Sequence, residues 1–137
     1  MPSINQLNLV NGLTVLLHED HTRPLVTLQY WVPAGAALEP APLNGISHFL
    51  EHMLFKGTRQ SGPADLDRKI ESVGGVWNAG TSNDYTVYYI TVASEFLRTG
   101  AEALHEITAN ARLDPAEVDR ERRVILEEYH RKQDNPA

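Results

Sequence analysis

Two short β-type runs open the chain, residues 7–10 (Leu-Asn-Leu-Val) and residues 13–17 (Leu-Thr-Val-Leu-Leu), separated by Asn11-Gly12. Asn-Gly between such runs is a strong hairpin signal, because both residues tolerate the positive φ that a tight turn needs. A third strand is predicted over residues 25–32. Residues 44–47 lead into a helix to about Phe55, which Lys56-Gly57-Thr58 ends with a glycine suited to a left-handed cap. A second helix is predicted over residues 64–73 and closed by Gly74-Gly75. Residues 76–81 and 85–93 read as paired strands around a Ser82-Asn83-Asp84 turn, the second run rich in β-branched and aromatic residues. Ser94 is expected to cap a helix to about Ala111. Asp114-Pro115-Ala116-Glu117 combines a capping side chain, a first-turn proline and an acidic third position, the start signal of a helix reaching about Lys132. Strands, helices, strands and helices in that order predict an α+β fold, a mainly antiparallel sheet with helices packed on one face.

The helix over residues 46–55 has two stripes. At about 100° per residue, Ile46, Phe49, Leu50, Met53 and Leu54 fall on one face, and His48, Glu51, His52 and Phe55 on the other. The first stripe is expected to anchor the helix and leave the second for chemistry. The last helix also has a mixed stripe: Val118, Glu121, Ile125 and Glu128 share a face. Two carboxylates on an apolar face call for a metal or an arginine as partner, since an unpaired buried charge is very costly. Glu127, on a more polar flank, is a rival, and pairing of these acids with the neighbouring arginines on an exposed helix is the plainer alternative.

A chain of 137 residues, 42% hydrophobic and 22% charged, suffices for one compact domain. No repeat or linker divides it, and residues 1–137 read as a single unit. The helix gives way to Gln133-Asp134-Asn135-Pro136-Ala137, where Asn-Pro normally turns a chain into a further element. The sequence is therefore expected to be the front part of something longer. Its net charge of −6 excludes a nucleic-acid-wrapping surface. The start has no basic, apolar leader and no run is long enough to cross a bilayer, so no membrane is expected and cytoplasmic residence is the default; a removed leader would leave the same sequence.

The absence of cysteine removes disulfides and thiolate ligands, so any metal must be held by imidazole and carboxylate. Among six histidines, His48 and His52 stand four apart on one helix face and can reach the same ion. Zinc takes such ligands tetrahedrally, and a catalytic site keeps one position for water, whose pKa falls to about 7. Glu51, beside the histidines but not a ligand, suits the general base that takes the proton and returns it to a leaving amine. His48-Phe49-Leu50-Glu51-His52 is the inverted zinc-protease motif H-x-x-E-H. The plain alternative is a solvated His/Glu face. His18 and His21 read as exposed turn residues, His105 and His130 as helix-surface residues, and Trp31 and Trp77 as packing groups.

Residues 45–58 as a block, Gly45-Ile46-Ser47-His48 through Lys56-Gly57-Thr58, closely resemble the active-site helix of the pitrilysin/insulinase metallopeptidases. Asn11-Gly12-Leu13-Thr14-Val15, Asn78-Ala79-Gly80-Thr81-Ser82 followed by Thr86-Val87-Tyr88-Tyr89, and Arg120-Glu121-Arg122 before Val124-Ile125 resemble the same family in the same order. The resemblance implies one Zn2+ per chain held by His48, His52 and Glu128, with Glu51 as catalytic base and Glu121 supporting the site from behind its ligands. It implies an extended peptide or unfolded polypeptide as substrate, added to a strand edge at Asn78 and Ala79; a plain sheet strand beside a packed Trp77 is the alternative reading of these two residues. It also implies half of a two-domain clam-shell, with a homologous second domain in cis or in trans completing the site. A domain of this family continues past the zinc-glutamate helix, so the chain is expected to be incomplete at its C-terminus and inefficient alone. A scaffold or regulatory subunit of the same fold would be expected to lack one of His48, Glu51, His52 or Glu128, and all four are present; an inactive fragment is the remaining alternative.

Overall fold

The computed structural model describes residues 4–134, with side chains through Arg131. The predicted turn at Asn135-Pro136 lies outside the described residues. Among them the order is β1 (Ile4–Asn8), β2 (Thr14–His18), β3 (Leu25–Val32), α1 (Ile46–Leu54), α2 (Asp65–Ser72), β4 (Val76–Thr81), β5 (Thr86–Ala93), α3 (Leu97–Ala109) and α4 (Pro115–Asp134). The fold is α+β, and all strand pairs are antiparallel. There are two sheets: the β1-β2 hairpin, and a three-stranded sheet in the order β3-β5-β4.

The central strand sets the layering. Along β5, Thr86, Tyr88, Ile90 and Val92 are buried while the residues between them are half-buried, the period of two that a strand imposes. In register beside them, Val26, Leu28 and Tyr30 of β3 and Trp77 and Ala79 of β4 extend the same face. Leu54 of α1, Leu66 and Ile70 of α2, and Ala103, Leu104 and Ile107 of α3 close the core over it. At Gly100 a Cβ would meet Leu28 Cδ1 at 3.1 Å and Val92 Cγ2 at 3.3 Å, so the missing side chain lets α3 lie directly on the sheet. Helices gather on this one face. Among the described residues the other face is open, and Leu25, Trp31 and Val76 stand exposed on it.

Several elements differ from the sequence expectation. The hairpin strands pair Asn8 with Thr14, so the link is residues 9–13 rather than two residues. Leu9 donates its N–H to the Leu13 carbonyl (2.8 Å) and Gly12, at φ +86°, donates to Leu9 (2.9 Å); Leu9 and Val10 thus belong to the turn. Ser94 caps nothing: it begins a short 3₁₀ turn, and α3 starts at Leu97 without a side-chain cap. Trp31 faces away from the helices with the alternate residues Thr27 and Gln29 and packs on Tyr85 at 4.7 Å. Trp77 does pack as expected, edge-on to Phe55 at 4.8 Å.

In α1 only part of the apolar stripe is covered. Met53 and Leu54 are buried, whereas Ile46 is 47% and Leu50 43% exposed. The helix is held instead at its ends and by α4, which packs beside it. After α1, Gly57 at φ +107° turns the chain. Arg112 donates its N–H to the Gly57 carbonyl and Arg59 to Asn110, each at 3.0 Å, which ties this turn to the end of α3.

Candidate metal centre

The site lies where α1 faces α4. Helix α1 begins after Gly45, whose φ of +91° favours glycine. Glu39, in the loop before it, accepts the backbone N–H groups of Gly45 (2.5 Å) and Ser47 (2.8 Å). These bonds, from Ser47 and then Gly45, hold the Glu39 carboxyl below the usual carboxylate range. They also satisfy donors that a helix start leaves unpaired, and put a negative charge at the positive end of the helix dipole. On α4, Asp114 accepts the Ala116 N–H at 2.9 Å, the cap that the sequence predicts.

His48 and His52 stand four positions apart on α1, and Glu121 and Glu128 stand seven positions apart on α4. The two pairs face each other with the helices running in opposite senses. His48 Nε2 and His52 Nε2 are 3.1 Å apart, and Glu128 Oε2 lies 3.8 Å from the first and 4.0 Å from the second. One ligand atom from each of these residues falls within 4.8 Å of the others, an arrangement that could hold a metal ion. All three are partly buried. Glu127, the rival ligand, points to solvent and is outside this group.

Behind His52, Glu121 is 3% exposed. Its Oε1 lies 2.8 Å from His52 Nδ1 and its Oε2 2.8 Å from Lys56 Nζ. Burial pushes the Glu121 carboxyl up, but the hydrogen bonds from Lys56 and His52 outweigh it and leave the group below its ordinary value. An ionised Glu121 accepts Nδ1–H, and that tautomer turns the Nε2 lone pair toward His48 and Glu128.

Glu51 lies on the β4 side of α1. Its Oε2 accepts the hydroxyl of Thr81. Tyr88 lies buried nearby, and burial together with the Glu51 charge pushes its phenol up to about 12, so it stays neutral at physiological pH. Glu51, His52, Lys56, Trp77, Asn78 and Glu121 line a cleft of 340 Å³. A second cleft of 340 Å³ opens beyond His48 and is lined by Gly45, Ile125 and Glu128 among others. The candidate ligands therefore stand between two openings.

Asn78 and Ala79 lie on β4, which among the described residues pairs only with β5 and so leaves its other edge free. Ala79 donates its N–H to Asn78 Oδ1 at 2.8 Å. Three residues touching the site were not singled out from sequence. Lys56 follows His52 by four positions, a spacing that could have found it. Thr81 shares strand parity with Trp77 and Ala79, which places it on the helix-covered face. Glu39, in a loop, carries no local signal. His21, His105 and His130 are exposed, as the sequence suggests.

The chain matches the family described as Insulinase (Peptidase family M16) over residues 14–137. It is 41% identical over 135 residues to a mitochondrial-processing peptidase subunit beta of Bos taurus, covering 98% of this chain and 27% of that protein. It is 34% identical over 126 residues to an uncharacterized zinc protease of Bacillus subtilis, covering 92% and 31%. A solved protease from Helicobacter pylori superimposes with a TM-score of 0.93 at 30% identity, covering all of this chain and 33% of that one. The chain thus spans 27% to 33% of the length of these relatives.

Proposed function

The chain belongs to the insulinase family of peptidases, M16, and from that premise we propose that it is the zinc-binding domain of a metalloendopeptidase acting on extended polypeptides. The observation that carries the reading is the donor set of two imidazoles and one carboxylate converging from α1 and α4. Tetrahedral zinc with bonds of about 2.0–2.2 Å needs ligand atoms roughly 3.3–3.6 Å apart. Separations of 3.1, 3.8 and 4.0 Å bracket that spacing. Imidazole nitrogen and carboxylate oxygen are also ligands zinc accepts.

His48, His52 and Glu128 would hold the ion. Zinc there supplies Lewis-acid polarisation and lowers the pKa of water to about 7. Glu51, on the adjoining turn of α1, would take the proton from the attacking water and return it to the leaving amine. Glu121 would orient His52 and raise its basicity as a ligand. A substrate strand pairing with the free edge of β4 would meet Asn78 and Ala79. To accept it, Asn78 would have to release the Ala79 N–H that it now holds. The relatives' greater length supports a homologous second domain, in the same polypeptide or a partner, as the other wall of the site.

The test is zinc content and hydrolysis of a quenched fluorescent peptide by the complete enzyme, with Glu51→Gln beside it. About one zinc per chain in both, with cleavage lost only in the variant, is the expected result. Cleavage retained without zinc, or undiminished by Glu51→Gln, overturns the reading.

A further inference from the structure

We infer that Thr81 is a positioning residue that orients the Glu51 carboxylate through its hydroxyl; the inference rests on the proposed role of Glu51 as base. Thr81 ends β4, and its Oγ1 donates to Glu51 Oε2 across the gap between the sheet and α1.

The proton assignment follows from the neighbouring hydroxyl. Thr81 Oγ1 has one hydrogen and two acceptors within reach, Glu51 Oε2 and, at 3.4 Å, Thr86 Oγ1. Thr86, 4% exposed, spends its own hydrogen on the Ala34 carbonyl at 2.9 Å. The 3.4 Å contact is beyond the usual range for O–H···O, and an ionised carboxylate is the stronger acceptor. Thr81 therefore gives its hydrogen to Glu51. The strand pairing sets Thr81 opposite Thr86, the first residue of β5, which is itself tied to the loop after β3.

A glutamate has three side-chain torsions, and a base works only if one oxygen reaches the water it deprotonates. With Oε2 committed to Thr81, Oε1 is the oxygen left to accept that proton. Thr81 also lies on the strand whose free edge would receive the substrate, three residues beyond Asn78. Pairing of a peptide with β4 would therefore act on the same strand that holds the base. The hydroxyl is the essential feature, since valine keeps the β-branched shape that suits a strand and loses only the donor.

The test compares Thr81→Val, Thr81→Ser and Glu51→Gln in the complete, zinc-loaded enzyme, with kcat, KM and zinc content measured for each. Thr81→Val is expected to lower kcat roughly 10–100-fold, as loss of an orienting partner does. Its KM should stay within about twofold and its zinc content unchanged, while Thr81→Ser recovers most of kcat. If Thr81→Val does not fold, Thr81→Ala read against Thr81→Ser gives the same comparison. Undiminished kcat in Thr81→Val beside a dead Glu51→Gln overturns the Thr81 inference alone. So does equal loss in valine and serine variants, or loss of zinc with the hydroxyl. An active Glu51→Gln overturns the base assignment and the Thr81 inference with it.

Discussion

Glu121 Oε1 stands 2.8 Å from His52 Nδ1 while its other oxygen stands 2.8 Å from Lys56 Nζ, so one buried carboxylate joins a histidine and a lysine four residues apart on the same stretch of chain. The arrangement resolves a cost. A carboxylate only 3% exposed is unfavourable unless both its oxygens are paired. Lys56 compensates the charge and leaves Oε1 to fix the tautomer of His52.

Glu121→Gln tests that relationship. The amide can still turn its oxygen to His52, but it offers Lys56 a donor where an acceptor is needed. Zinc affinity is expected to fall roughly 10–100-fold, as it does when a partner behind a metal ligand is lost. Glu121→Ala should fall at least as far. Competition against a chelator of known affinity reads both, and unchanged affinity would show that His52 is oriented by something else.

Glu128 and Glu127 are adjacent in sequence and opposite in environment. Glu128 is partly buried against both histidines and Glu127 is exposed. Glu128→Gln should therefore abolish stoichiometric zinc binding, and Glu127→Gln should leave about one zinc per chain. Elemental analysis after dialysis decides between them. The reverse pattern would move the third ligand to Glu127.

Glu39 supplies a pH-dependent prediction. Its folded-state pKa is depressed below the ordinary glutamate value of 4.5 by the Ser47 and Gly45 N–H groups. A depressed carboxyl contributes stability that is fully present above its unfolded pKa and lost as pH falls through its folded pKa. Wild type should melt above Glu39→Gln at neutral pH, and the gap should close as the solution is acidified below 4.5. A melting difference that is the same at neutral and acid pH would mean that the carboxylate charge plays no part.

Much of this was legible in the chain because the deciding interactions are local. The 3.6-residue period puts His48, Glu51 and His52 together, and Asp114-Pro115 marks the start of α4 to the residue. Strand alternation in β5 is equally direct. What periodicity cannot supply is which neighbour covers a face. Trp31 has the composition of a packed residue, yet strand parity turns it to the open side of the sheet. Thr81 and Glu39 reach α1 only through the tertiary fold, from 30 residues after Glu51 and eight residues before Ser47 respectively. The likeness in residues 45–58 and 120–125 indicated a metal site; the contacts that hold its side chains in place needed coordinates.

The same distinction between pattern and packing makes the last prediction, a comparison of two apolar truncations. Ile90 is 0% exposed at the centre of β5, with Leu28 and Trp77 in register on either side and Gly100 of α3 above it. Leu50 sits on the apolar stripe of α1 but is 43% exposed. Ile90→Ala leaves a cavity among side chains fixed by three elements and should destabilise the fold by about 2–5 kcal/mol. Leu50→Ala removes a side chain that is already half in water, and alanine is the better helix former, so its cost should stay near about 0.5 kcal/mol. Urea unfolding of the two variants measures the difference. A large loss for Leu50→Ala would show that the stripe is covered in solution, and that the sequence pattern described this face of α1 better than its isolated packing does.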